Sequence, residues 1–309
     1  MKSLLRFFAV AGVLAAGCLS AHAKIERVVE KTFSVQPGGE LRIETQGGDI
    51  RVVSSSEPTV KVVAKQTIRA SSESEADELL QKLDLTIEQD AAGVLARAKL
   101  KKTSWGRAPV SVDFTVTVPK TYHVTLRTSG GDVTVGDLDG RVHARTSGGN
   151  ISLAKIAGDI DAGTSGGDVK LDEGAGRVKL GTSGGNIRVN RAVGATDLNT
   201  SGGDIDVKSV ENTLQASTSG GNVNAGIAGA LKGDCDLSTS GGEVRVRVDR
   251  GAAFALDAAT SGGDVEAAGL TITIEKGGSG KSRLAGKVNG GGPRLKLRSS
   301  GGDIEIESR

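Results

Sequence analysis

Residues 128–150 read TSGGDVTVGDLDGRVHARTSGGN, and this stretch decides the fold. It begins and ends with the same Thr-Ser-Gly-Gly motif, and the two copies are 18 residues apart. Between them, apolar and polar side chains alternate as they do in strands with one buried face. A motif that returns at a fixed interval between short strands is typical of stacked structural repeats. The eight full copies begin at Thr128, Thr146, Thr164, Thr182, Thr200, Thr218, Thr239 and Thr260.

Apolar residues recur at fixed places before each motif. The residue two positions before each Thr from Thr146 onward is Ala or Leu, and the residue four positions before is apolar except at Thr196. These two columns predict the inside of a stack of coils, each coil contributing two short strands. The column four positions before the motif is Val142, Ile160, Val178, Thr196, Leu214, Cys235 and Leu256.

Polar positions predict that residues 18 apart are neighbours. The residue after Gly-Gly alternates between Asp and Asn from Asp132 to Asn222, so its charge repeats every 36 residues over a motif that repeats every 18. In-register stacking explains this, because the alternation separates like charges by about 10 Å. We therefore predict an all-β fold in which residues 119–309 form a β-solenoid of 18-residue, two-strand coils. Its glycines serve corners that need either positive φ or close backbone approach, and its Thr and Ser hydroxyls are predicted to form ladders.

The remaining segments predict the two ends of the stack. Residues 24–118 lack the tight repeat and predict a β-rich cap region with one helix near residues 73–83, where Ser72 and Glu75 form a capping box. Near the other end, a C-terminal hairpin precedes a closing strand. The acidic residues of that strand, Asp303–Glu307, are predicted to protect an exposed sheet edge from aggregation.

The first residues predict export. Lys2 and Arg6 precede an apolar run, Phe7–Gly17, and Ala21-His22-Ala23 is a small-residue cleavage site, so residues 1–23 read as a signal peptide. An alternative is cleavage before Cys18, within a lipobox-like Leu14–Cys18, which would leave a lipid anchor. No later stretch approaches the ~20 apolar residues of a transmembrane helix.

Charge and residue content exclude several classes of function. Residues 1–23 contain two of the 39 basic residues and no acidic ones, so residues 24–309 carry 37 of each sign. A net charge of zero predicts no nucleic-acid partner. Cys235 is the one cysteine after Cys18, so no intramolecular disulfide is expected. Because Cys235 belongs to an inward column, we predict that it is an inert core residue. His123 and His143 lie outside any zinc-ligand spacing, and we predict no metal and no cofactor.

Two kinds of chemistry are weighed against the repeat. A calcium-binding β-roll also builds an 18-residue coil from two nine-residue halves. It needs Gly-Gly-x-Gly-x-Asp in both halves, however, and this repeat lacks that motif. Carboxylate pairs for glycan cleavage, such as Asp159 with Asp161, recur with the repeat, whereas an active site should interrupt it. The interruptions are the widened coils at residues 224–236 and 245–258 and a loop at 276–281, and none concentrates a general base, an Arg and an aromatic residue.

Two surfaces are candidates for contact with a partner. Basic residues surround the single Trp in a loop between two predicted strands, where the alternative is an ordinary solvated loop. The outward columns of the solenoid form the second surface, and His143 is predicted to pair with Asp161 there. The candidate contact residues are Lys101, Lys102, Trp105 and Arg107 of the loop and Arg141, His143 and Lys179 of the outward columns.

Four segments carry a resemblance to a known family. They are Gly39–Ile43, Gly47–Ile50, Val112–Pro119, which leads into the Thr-Ser-Gly-Gly array, and Val288–Pro293. Together with the array they resemble an uncharacterised bacterial family of β-strand-repeat proteins commonly labelled "putative adhesin". The resemblance implies a β-solenoid that is exported to, or anchored at, the cell envelope. It brings no catalytic residues.

The sequence thus predicts a non-catalytic, exported cell-envelope protein. It would be an adhesin-like or scaffold module that binds a cell-envelope glycan or a surface protein through the outward face of the stack. A polysaccharide-active enzyme on the same fold and a purely structural or stress-related periplasmic protein are the alternatives.

Overall fold

The computed structural model describes residues 23–101 and 109–309, which form 27 strands and one helix. The elements before the repeats are β1 (Ala23–Ser34), β2 (Glu40–Thr45), β3 (Ile50–Ser55), β4 (Thr59–Ala70), α1 (Glu73–Leu80), β5 (Leu83–Asp90), β6 (Gly93–Leu100) and β7 (Val110–Pro119). The first repeat strands are β8 (His123–Arg127), β9 (Val133–Val135), β10 (Val142–Arg145), β11 (Ile151–Ile156), β12 (Ile160–Gly163), β13 (Val169–Gly174), β14 (Val178–Gly181) and β15 (Ile187–Ala192). The later ones are β16 (Thr196–Asn199), β17 (Ile205–Val210), β18 (Leu214–Thr218), β19 (Val223–Ile227), β20 (Cys235–Thr239), β21 (Val244–Val248), β22 (Phe254–Thr260) and β23 (Val265–Ala268). The chain closes with β24 (Ile272–Gly280), β25 (Arg283–Val288), β26 (Arg294–Ser299) and β27 (Ile304–Ser308).

Two long sheets face each other, and each coil gives one strand to each of them. The 13-stranded sheet, here sheet A, contains β9 and the odd-numbered strands to β21, and the 14-stranded sheet, sheet B, contains β8 and the even-numbered strands to β20. Strands of successive coils are parallel and in register, with Val142 opposite Ile160 and Ile160 opposite Val178. The pairs β1–β4, β4–β7, β5–β6, β22–β25 and β24–β25 are antiparallel. The predicted contact between residues 18 apart is confirmed, and with it the β-solenoid.

The core lies between the sheets and is continuous from Val35 to Ile306. The predicted inward columns are buried throughout, including Cys235 at 1% exposure. Thr196, the polar exception, is buried because its hydroxyl donates to the carbonyl of Gly194 at 3.1 Å, which satisfies the donor inside an apolar column.

Close backbone approach, rather than positive φ, explains the second glycine of each motif. A methyl group at Gly149 would lie 2.1 Å from the carbonyl oxygen of Gly131 in the preceding coil, and the second glycines of the following coils are equally crowded. Thr146 is buried beside this contact, where its hydroxyl donates to Gly131 O at 2.9 Å and accepts from Gly149 N at 3.3 Å. The Thr hydroxyls therefore form a ladder through the backbone of neighbouring coils.

The alternating Asp and Asn residues form a second ladder. Asp132 Oδ1 accepts the backbone N–H of Asn150 at 2.7 Å, and Asn150 Oδ1 accepts that of Asp168 at 2.9 Å. The same bond recurs to Asn222, whose Oδ1 accepts the N–H of Glu243 at 2.9 Å. Either amide or carboxylate can accept this bond, so the alternation limits charge repulsion without interrupting the ladder.

At each end of the stack, a coil is inserted between two coils that follow each other in the chain. The β2–β3 coil lies between the β6–β7 and β8–β9 coils, and the β26–β27 coil lies between the β20–β21 and β22–β23 coils. The prediction that the closing strand protects a sheet edge was wrong, because β27 pairs with strands on both sides. Its acidic residues instead meet arginines of β21, with Arg245 Nε 2.9 Å from Glu305 Oε2 and Arg247 Nε 3.0 Å from Glu307 Oε2.

Helix α1 begins at the predicted N-cap, where Ser72 Oγ accepts the N–H of Glu75 at 3.2 Å and Glu75 Oε2 accepts the N–H of Ser71 at 2.7 Å. It packs through Ala76 against a small separate core that includes Ile68 and Leu100. Strands from both sides of the predicted boundary at residue 118 lie in the same two sheets, and the division into cap and solenoid stays a prediction. In the described ranges, no helix has the length and apolar character needed to cross a membrane.

Candidate binding surface

The outward face of sheet B brings three of the predicted contact residues together. A depression of 440 Å³ lies where β8, β10, β12 and β14 run side by side, and Arg141, His143 and Lys179 all line it. Because the strands are in register, outward side chains of successive coils form two columns across it. One column is Glu40, His123, Arg141, Asp159 and Arg177, and the other is Thr125, His143, Asp161 and Lys179.

The other predicted contact residues are not part of this surface. Lys101 follows β6, and its backbone N–H donates to Lys82 O at 2.8 Å. Lys102, Trp105 and Arg107 lie outside the described residues. The basic loop around Trp105 therefore stays a prediction.

Asp161 organises the second column. Its Oδ2 is 3.3 Å from His143 Nδ1, as predicted, and its Oδ1 accepts from Arg145 Nη2 at 2.6 Å. Partial burial raises the pKa of Asp161, but the hydrogen bond and charge of Arg145 outweigh it and leave the pKa below its ordinary value. Asp161 is therefore a fixed anion at neutral pH.

The first column is held by backbone donors from the next coil. His123 Nδ1 accepts the N–H of Arg141 at 3.0 Å, which leaves Nε2 to carry the proton of the neutral ring. Asp159 Oδ1 accepts the N–H of Arg177 at 2.9 Å. This backbone bond lowers the pKa of Asp159, partial burial opposes it, and the Arg177 side chain lowers the pKa further. Both side chains that accept are thereby fixed in orientation.

A second depression of 290 Å³ continues the first across the sheet. Both are lined by Asp161 and Lys179, and we call the combined surface the sheet B trench. Gly163 and Gly181 stand where outward side chains would be, and Asp197 and Asn199 line the far part. Sequence reasoning missed Arg145 and the two glycines. The residue directly before each Thr is outward-facing, and its shift from Arg to Gly was the available signal.

The trench presents polar groups of both signs. Its first depression has Arg141, Arg177 and Lys179 against three carboxylates, so donors and acceptors are balanced. Asp159 and Asp161 have lowered pKa values, which suits neither for a general acid. No Phe, Tyr or Trp side chain is among the residues that line either depression.

Cys235 is free and buried, and burial raises the pKa of its thiol. Across residues 23–101 and 109–309, no three His, Cys, Asp or Glu side chains are grouped so that they could hold a metal ion.

Comparison with solved structures gives distant likeness. A protein of Parabacteroides distasonis described as a "putative adhesin" is 14% identical over 91% of this chain and 97% of its own, with a TM-score of 0.47. One of Parabacteroides merdae with the same description is 11% identical over 91% and 96%, with a TM-score of 0.46. One of Bacteroides fragilis is 13% identical over 92% and 97%, with a TM-score of 0.41.

No curated protein is detectably similar to the chain. The sequence profile of the Toastrack family, DUF4097, matches residues 38–307, which is most of the chain and includes every full copy of the motif. The chain therefore belongs to the Toastrack family.

Proposed function

We propose that the chain is an exported, non-catalytic envelope protein that binds a hydroxyl-rich cell-envelope glycan through the sheet B trench. The observation that carries this is the meeting of Arg141, His143 and Lys179 with fixed carboxylates in one open depression. The proposal makes the protein an adhesin-like or scaffold module. Export rests on the signal-peptide pattern of residues 1–23, and a lipid anchor at Cys18 is the variant of the proposal in which the protein stays at the membrane.

Glycan hydroxyls suit the trench because they donate and accept at the same atom. A charge-balanced array of carboxylates, guanidinium groups and imidazoles can satisfy both roles, whereas a strongly charged ligand would meet like charges. Without aromatic stacking, each sugar is expected to bind weakly. An extended row of equivalent coils compensates by engaging several sugars of one chain at once.

The test uses purified residues 24–309 against isolated envelope fractions and a panel of neutral and acidic glycans. Retained protein and new reducing or unsaturated sugar ends are measured in the same samples. We expect retention by envelope or neutral glycan without new ends. New ends would contradict the non-catalytic proposal, and absence of retention would leave the purely structural alternative.

A matched pair of variants locates the binding. Arg177→Ala/Lys179→Ala removes two cations from the trench, and we expect it to lose retention. Arg51→Ala/Arg69→Ala removes two exposed cations from the outward face of sheet A and should be retained like the unchanged protein. Equal loss in both variants would show that binding does not use the trench.

A further inference from the structure

A second and larger depression lies on the opposite face of the molecule, on the outward side of sheet A. It has a volume of 910 Å³ and crosses β13, β15, β17, β19 and β21. Asp206 is the single acidic side chain among the residues that line it. Six cationic side chains line it: Lys170, Arg188, Lys208, Arg245, Arg247 and Arg309.

This depression exists because the repeat is interrupted there. Lys208 and Arg247 follow one outward column, but between them stands Gly226, in the first widened coil. A methyl group at Gly226 would lie 2.3 Å from Lys208 O, so the strands leave no room for a side chain. The pairing of β17 with β19 also shifts register between Val207 and Val210.

The inserted terminal coil completes the cationic lining. Arg309, which follows β27, has its Nη1 3.7 Å from the place where a Gly226 methyl group would be. Its Nε lies 2.5 Å from Asp249 Oδ1, which fixes the side chain at the edge of the depression. One ion pair occupies only part of a guanidinium group, because the group carries five N–H donors in a plane.

Most of the other lining cations are also ion-paired: Lys170 with Asp172, Arg188 with Asp168 and Asp206, and Arg245 with Glu243. Arg245 and Arg247 pair with Glu305 and Glu307 of β27, and these carboxylates are not part of the lining. Lys208 is exposed and has no ion pair with any described residue. The lining therefore presents cationic donors, while most of the compensating carboxylates lie outside it.

We infer that this sheet A depression binds an acidic polysaccharide. Five parallel strands about 4.8 Å apart span ~19 Å, which suits an extended chain of several sugars that carry carboxylate or sulfate groups. Asn190 and Asn224 add amides that can pair with sugar hydroxyls. The inference goes beyond the proposed function, since it concerns another face and another ligand class. A protein with both sites would bridge two glycans.

The test is calorimetric titration of residues 24–309 with octagalacturonate, with uncharged maltooctaose as the matched ligand. We expect octagalacturonate to bind and maltooctaose not to bind at this site. Lys208→Ala should weaken octagalacturonate binding about tenfold, the effect of one charge-assisted hydrogen bond, and Lys208→Glu should weaken it further. Lys208 is exposed, so both variants are expected to fold, and a thermal unfolding scan checks this.

Arg51→Ala is the control on the same sheet face. Arg51 is exposed on β3, outside the depression, and has no ion pair with any described residue, so its removal costs the same charge. We expect less than about a twofold change. The inference is overturned if octagalacturonate does not bind the unchanged protein, or if Arg51→Ala weakens binding as much as Lys208→Ala.

A trench variant separates this inference from the proposed function. Arg177→Ala/Lys179→Ala should bind octagalacturonate as the unchanged protein does. If that variant loses octagalacturonate while Lys208→Ala keeps it, the acidic glycan occupies the trench and the sheet A inference fails. If both keep it, neither site binds the acidic chain and the inference also fails.

Discussion

The central coils and the inserted C-terminal coil share the motif, with Ser299 in place of Thr in the last copy, but they are connected differently. In the centre, each coil pairs with the coils before and after it in the chain, with partners 18 residues apart, as in Asp161 opposite Lys179. Near the C-terminus, Val244 pairs with Ile304, 60 residues away, because the terminal coil is inserted. The centre is thus a set of interchangeable local units, and each end is a single long-range arrangement.

This difference in connection determines which coils can be deleted without changing the strand pairing of their neighbours. A local unit can be removed without changing its neighbours' partners, because the coils on either side present the same ladder. The terminal coil has no such substitute, since β20 and β22 meet only through β26. The two proposed binding surfaces differ in a related way, because the trench lies mostly on regular coils, whereas the sheet A depression extends from regular coils to Arg309 beside the inserted terminal coil.

The largest expected effect comes from removing the terminal coil. Deletion of residues 294–309 removes Leu295, Leu297, Ile304 and Ile306, whose burial is worth roughly 6–12 kcal/mol before chain entropy is counted. We expect β22–β25 to become sensitive to limited proteolysis and the urea midpoint to fall sharply. Deletion of residues 183–200, one central unit, should keep these strands protected. Equal protection in both proteins would contradict the comparison.

The two glycines of one central motif should differ in their tolerance of alanine. A methyl group at Gly185 would lie 2.1 Å from Gly167 O, whereas one at Gly184 would lie 3.4 Å from Gly166 O. Gly185→Ala must separate two coils, and we expect a loss of ~3 kcal/mol or more in urea unfolding. Gly184→Ala should cost less than about 1 kcal/mol. Similar losses would mean that close approach is not what selects the second glycine.

A smaller effect is expected from the Thr ladder. Thr182 is buried, and its hydroxyl donates to Gly167 O at 2.8 Å and accepts from Gly185 N at 3.3 Å. Thr182→Val keeps the shape but leaves two backbone groups without that partner, which should cost about 1–3 kcal/mol in urea unfolding. Ser183→Ala, at the exposed neighbour, should stay within about 0.5 kcal/mol. If Ser183→Ala lowered stability as much as Thr182→Val, the Thr182 hydroxyl would not be the group that stabilises this contact between coils.

The smallest effect concerns acid. Hydrogen bonds from the Gly229 N–H and from Arg309 lower the pKa of Asp249, and a bond from Arg298 lowers that of Asp257. Because these folded pKa values lie below the unfolded value of about 3.9, the stability they add is present above that pH and is lost as pH falls through the folded values.

Both carboxylates help to hold the terminal coil, so its protection from proteolysis should fall in acid before that of the central coils. Asp257→Asn should lower stability at neutral pH, and its difference from the unchanged protein should shrink as the pH falls below about 4. A difference that stays constant with pH would contradict this role.

The central stack could be predicted because its evidence is local and repeated. Spacing, apolar columns and alternating charge all indicate that residues 18 apart are in contact. Each coil shows the same pattern, so the evidence accumulates along the chain. The inserted coils could not be predicted, because nothing in the pattern of residues 294–309 distinguishes a coil at the edge from one between two others. Arg245 and Glu305 have opposite charges, but many such pairs exist in the chain.

The candidate site was predictable in part for the same reason. Arg141, His143 and Lys179 occupy outward columns whose register follows from the spacing. Gly163 and Gly181 were missed because a missing side chain is a signal only once neighbouring columns are known. The sheet A depression depends on the register shift near Gly226 and on Arg309, and both follow from long-range pairing.

The most direct test of the trench uses the two histidines of residues 24–309, His123 and His143, which both line it. Their ring signals in a ¹H–¹³C NMR spectrum report on the trench without interference from other histidines. We predict that both signals shift when the glycan retained by the protein is added. In Arg177→Ala/Lys179→Ala, addition of the same glycan should leave both signals where they are in the glycan-free variant. Retention of glycan with both signals unmoved would show that the trench is not the binding surface.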